Sequence, residues 1–152
     1  YNYGAARLDR VRKTFQLTAT VATVIMVCGC AAFNLIPHVL LGFFNPSAEM
    51  LSIGTVALRV ISYSFLLAGF DIIAGSVCQA IGNPIYTLIC SVCRQLVALL
   101  PAAWLLAQTG VLDLVWFCFP ISELVSLVMS ILFLRKTMRA AEAKIALNEK
   151  QQ

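Results

Sequence analysis

Between positions 14 and 48 the sequence holds no Asp, Glu, Lys or Arg. Residues 14–36, the apolar part of that stretch, number 23. As an α-helix they cover about 34 Å at about 1.5 Å per residue, enough to cross a hydrocarbon core of about 30 Å with some tilt. Comparable apolar segments recur at 60–81, 86–108 and 114–134. A soluble surface needs roughly a quarter of its residues charged. Here 12% of the 152 residues are charged and 61% are hydrophobic, with a mean hydropathy of +0.88. The expected fold class is therefore all-α integral membrane, with four transmembrane helices. Lipid is the solvent, so each helix can be apolar all round while its backbone is satisfied internally.

In chain order the pattern predicts a loop at 1–13, a transmembrane helix at 14–37, a loop and interfacial segment at 38–59, and a second transmembrane helix at 60–81. A turn at 82–85, a third transmembrane helix at 86–108, a turn at 109–113, a fourth transmembrane helix at 114–134 and a polar tail at 135–152 follow. Pro37, Gly42, Asn45 and Pro46 supply turn formers after the first span. Arg59 is expected to snorkel to the headgroups. Gly82-Asn83-Pro84 reads as a tight turn whose proline starts the next helix. Pro101 predicts a kink near residues 97–101, and Pro120 interrupts the last span.

The basic residues choose the orientation. Loop 1–13 carries Arg7, Arg10, Arg12 and Lys13, and the tail carries Arg135, Lys136, Arg139, Lys144 and Lys150. The turn at 109–113 and the loop 38–49 have none, so both termini are expected in the cytoplasm, with the two opposite loops outside. The tail reads either as a short amphipathic helix on an anionic leaflet or as an ordinary topogenic charge cluster with a frayed end. No basic n-region with a short apolar core and cleavage site is visible at the start, so a cleaved signal peptide is not expected.

Chemistry is sparse. Cys28, Cys30, Cys78, Cys90, Cys93 and Cys118 all lie in apolar segments, which argues against a disulfide framework; they read as small packing residues. There is no phosphate loop, no zinc-protease motif and no nucleophile with a histidine base, since His38 stands alone. No enzyme activity, cofactor or nucleic-acid partner is expected.

Three charges interrupt the spans. Asp71 sits mid-way along the second, where a charged side chain costs roughly 2.5–3.5 kcal/mol on insertion scales. It is either a site for a proton, a sodium ion or a cationic substrate, or a hydrogen-bonded acid joining helices. Glu123, just beyond Pro120, either lines a polar cavity or pairs with Arg94 or a hydroxyl across an interface. Arg94 lies roughly 13 Å along its helix from the hinge and either snorkels or holds an internal acid, with Gln95 as a polar neighbour. Ser122, Ser126 and Ser130 repeat every four residues, a small-residue face suited to close helix packing.

Taken as a series, Tyr1-Asn2-Tyr3-Gly4-Ala5, Arg10-Val11, Gln79-Ala80-Ile81-Gly82-Asn83, Arg94-Gln95, Leu100-Pro101 and Pro120-Ile121-Ser122-Glu123 resemble the C-terminal part of the multidrug and toxic compound extrusion (MATE) family. The resemblance runs along nearly the whole chain. Members have twelve helices in two lobes, and it implies that this chain corresponds to helices nine to twelve. It further implies export of cationic or amphiphilic compounds across the inner membrane, driven by sodium ions or protons. The missing partners would be the N-terminal lobe and helices seven and eight. Asp71 stands on the helix that carries an acidic cation-site residue in some members, about one turn away from that position. On these grounds Asp71 and Glu123 are the ion- or substrate-binding candidates, with Gln79, Arg94, Gln95, Pro101 and Pro120 in support. The competing readings are a lipid-linked oligosaccharide flippase of the same superfamily, a non-transporting four-helix subunit, and a membrane enzyme using Cys or Glu.

Overall fold

The computed structural model describes residues 1–149, every regular element of which is helical. The elements are α1 (Leu8–Leu35), α2 (Pro37–Gly42), α3 (Ala48–Ser62), α4 (Phe65–Ala80), α5 (Pro84–Val92), a π-helical segment (Cys93–Leu99), α6 (Leu100–Ala107), α7 (Leu112–Val115) and α8 (Cys118–Glu149). Three helical rods are long and apolar enough to cross a membrane: Leu8–Leu35, Pro84–Ala107 and Leu112–Leu147. The bent pair α3 and α4 makes a fourth if it is counted as one span.

That bent pair corrects the expected segment 38–59. Instead of a loop and an interfacial approach, it contains α2 and most of α3. Ser47 caps α3 by accepting a hydrogen bond from the Met50 amide at 3.1 Å, and Glu49 in the first turn favours the positive end of the helix dipole. No proline or glycine then separates residue 55 from residue 68. The chain nevertheless bends by 50° between α3 and α4. Two serines sit at the bend. Ser62 Oγ donates to the Arg59 carbonyl at 2.7 Å and Ser64 Oγ to the Ile61 carbonyl at 2.6 Å, drawing carbonyls away from the ladder. Asn34 of α1 locks the corner by donating to Ser62 Oγ at 2.8 Å.

The hinge forms as expected. Gly82 takes φ +97°, the Asn83 amide donates to the Cys78 carbonyl at 2.8 Å and the Gly82 amide to the Gln79 carbonyl at 3.0 Å. This is the paired closing pattern that favours glycine after a helix end, and Pro84 opens α5 in its first turn. The two prolines expected to disturb helices act differently from one another. Upstream of Pro101 the backbone widens into the π segment, in which the Leu100 amide reaches back to the Gln95 carbonyl. Pro120 falls in the first turn of α8, where its missing N–H has no partner to lose. The break in the last rod precedes it, at residues 116–117.

The tail is helical. No glycine or proline follows Pro120, and α8 continues without interruption to Glu149. Thr137 and Ala141 are buried, and Arg12 near the start of α1 pairs with Glu142. The extension is thus packed against the bundle rather than frayed or laid separately on a surface. The last residues of the expected tail, Lys150 among them, lie outside the described residues.

Packing is reversed relative to a water-soluble protein. Leu17, Ile25, Leu96, Trp104, Val128 and Leu132 face outward, while Ser62, Ala74, Cys78, Ser122, Ser126 and Ser130 are buried. Small interior residues let backbones approach closely where lipid provides no hydrophobic drive for association. At Gly69 an added Cβ would stand 3.3 Å from the Ala22 carbonyl carbon, so α4 lies directly against α1. Thr87 Oγ1 donates to the Gly75 carbonyl at 3.1 Å, tying α5 back onto α4.

Candidate functional site

The hinge makes α4 and the rod beginning with α5 into a helical hairpin, and α8 closes the third side. Asp71 lies eleven residues before Gly82 and Arg94 eleven after Asn83, so the turn brings them to one depth. Between these elements is a cavity of about 520 Å³. Asp71 and Glu123 are the two carboxylates on its wall, and Arg94 is its one guanidinium.

The three charges are held differently. Arg94 projects from the second residue of the π segment, and its Nη1 stands 3.6 Å from Glu123 Oε2. The Glu123 side chain is 8% exposed and that of Arg94 41%. This separation is an ion pair without a close hydrogen bond. Asp71 has no such ion pair: both its carboxylate oxygens are buried, and among the described residues neither accepts a close hydrogen bond. A carboxylate in that condition is strongly destabilised as a bare anion. The hydroxyls of Ser126 and Ser130 lie on the same cavity wall.

At the hinge end, the Tyr86 ring stacks on Phe133 with centroids 4.6 Å apart, and Lys136 Nζ lies 5.4 Å from the Tyr86 centroid. Gln79 lines this end too, and Phe65 and Phe119 line the walls deeper in. Ser130 Oγ donates to Cys90 Sγ at 3.8 Å. The cavity therefore offers one unsatisfied acid, one paired acid, hydroxyls and aromatic faces. Those groups suit a cation with an apolar body.

The structure brings together Asp71, Glu123, Arg94 and Gln79 and leaves out Gln95, Pro101 and Pro120. Gln95 is exposed on the outer side of its helix, one residue round from Arg94. Both prolines act on the backbone alone. Ser126, Ser130, Tyr86 and Phe133 join the site without having been singled out for it. The serine spacing, read as packing, was the available signal: a face repeating every four residues and passing Glu123 also faces whatever Glu123 faces.

The MatE family model matches residues 1–105, from before α1 to within α6. The chain belongs to the MatE family. The match includes Asp71 and Arg94, whereas Glu123 and the serines of α8 lie past its end. MatE proteins are transporters. No curated protein and no solved structure matches the chain.

Proposed function

We propose that this chain is part of a secondary active exporter that exchanges cationic, amphiphilic compounds for sodium ions or protons. The observation that carries the reading is Asp71. An acid with both oxygens buried and unpartnered, in a cavity of about 520 Å³ between membrane helices, is a place where a proton or sodium ion is bound and released. In this reading Asp71 takes the coupling ion, the Ser126 and Ser130 hydroxyls help ligate it, and the aromatic walls take the apolar part of the cargo.

The four spans stand for helices nine to twelve of a two-lobed, twelve-helix transporter in the inner membrane, with both termini in the cytoplasm. The charge distribution between residues 1–13 and the end of α8 supports that orientation. The work of alternating access then falls to the interface with the other lobe, because the coupling ion must bind with different free energies in the two states. A lipid-linked oligosaccharide flippase, with its anionic cargo, would want excess positive charge in the cavity. Two acids against one arginine argue for a cationic cargo instead.

The test is transport into proteoliposomes by the protein in its native assembly, with ethidium as cargo and an imposed sodium or proton gradient. Gradient-driven movement that Asp71→Asn abolishes, with insertion intact, supports the proposal. Movement by the variant at the wild-type rate overturns it.

A further inference from the structure

We infer that Arg94 is a tethered competitor for the cargo, its guanidinium occupying Glu123 until an incoming cation displaces it. The inference rests on the proposed cation transport and adds a residue that sets its affinity. Three features of the geometry point to it. First, the 3.6 Å approach between Arg94 Nη1 and Glu123 Oε2 places unlike charges together without the close hydrogen bonds of a locked arginine–carboxylate fork. Second, the two partners are unequally buried, at 41% and 8% exposed, so the guanidinium has open space to move into while the carboxylate does not. Third, both lie on the wall of the cavity that would receive the cargo, and the remaining charge there, Asp71, is an acid.

In the empty cavity Arg94 spares Glu123 the penalty of a buried unpaired charge. An organic cation entering between Phe65 and Phe119 meets Glu123 already neutralised. It binds only if its own contact with the carboxylate, together with its apolar burial, exceeds what the guanidinium gives up. Small hydrated cations gain little from the aromatic walls and are rejected; bulky apolar cations gain most. Arg94 is therefore a positioning and specificity-determining residue: it raises the threshold a cation must pass, and its freedom to swing away from Glu123 makes the exchange reversible.

The test measures binding of tetraphenylphosphonium to the whole chain in lipid nanodiscs by equilibrium dialysis, with helical content checked by circular dichroism. Arg94→Gln is expected to tighten binding roughly tenfold. Glu123→Gln weakens it, and the double variant binds as weakly as Glu123→Gln alone. Arg94→Lys keeps the tethered charge and stays near wild type. In the wild-type chain, saturating probe raises the rate at which Arg94 reacts with phenylglyoxal, a change that a purely structural ion pair would not show.

If the wild type binds and Arg94→Gln leaves affinity unchanged or weaker, the competitor role is overturned and the transport reading stands. Arg94→Lys binding as tightly as Arg94→Gln also overturns it, since charge would then not be the cause. If no form binds the probe, the cation-transport reading fails and this inference fails with it.

Discussion

The ring of Tyr86 lies flat against that of Phe133, their planes 2° apart, and so ties the first turn of α5 to α8 across the hinge end of the cavity. Such a pair contributes about 0.5–1.5 kcal/mol beyond the area it covers. Tyr86→Ala is expected to open that end. The check is the reaction of Cys90, buried within the cavity wall, with a water-soluble maleimide. Labelling should rise several-fold over wild type, and an unchanged rate would show that the stack does not close the mouth.

Asp71 is expected to lower stability while enabling function. Leaving a buried polar group unsatisfied costs about 1–3 kcal/mol, and asparagine removes the charge while keeping the volume. Asp71→Asn should raise the thermal unfolding midpoint in detergent and also abolish any stabilisation by sodium ions. A lower midpoint would mean that the carboxylate has a partner.

The approach of α4 to α1 makes Gly69 intolerant of bulk. A Cβ there would meet Ala22 and the Met26 side chain at 3.3 Å, so Gly69→Leu forces the helices apart. Overpacking of this kind costs about 1–3 kcal/mol. Thermal unfolding should show the loss, and Gly69→Ala should show a smaller one.

The corner between α3 and α4 depends on hydroxyls rather than on proline. Replacing both Ser62 and Ser64 with alanine should straighten the 50° bend. Spin labels at exposed residues 52 and 76 would then report a longer separation, and an unaltered distance would assign the bend to packing alone.

Much of this architecture was legible because lipid makes spans obvious. The uncharged run ending at Ala48, the Gly82-Asn83-Pro84 turn and the intramembrane Asp71, Arg94 and Glu123 stand out for composition alone. The bend at Ser62 did not, because serine disturbs a helix only when its hydroxyl is held on a carbonyl, and that depends on Asn34 from a distant helix. The segment 38–59 read as a loop because its early turn formers hid a well-capped α3 behind them. Ser126 and Ser130 were visible as a spacing, but spacing shows that residues share a face and not what that face looks onto. The α8 extension was misread for a related reason: its charges look solvent-bound one at a time, while buried Thr137 and Ala141 form the side that packs.

The wide turn between Cys93 and Leu99 is a dislocation in the hydrogen-bond ladder, one surplus residue absorbed without breaking the rod. One surplus residue corresponds to about 100° of rotation around the axis. Pro101 pins the defect on one side, because the carbonyl it leaves free makes that neighbourhood the least costly place to keep it. Arg94 lies inside the defect, at its second residue. The surplus residue thus sets the direction in which this helix presents its cavity-lining cation, while both of its ends stay in the bundle.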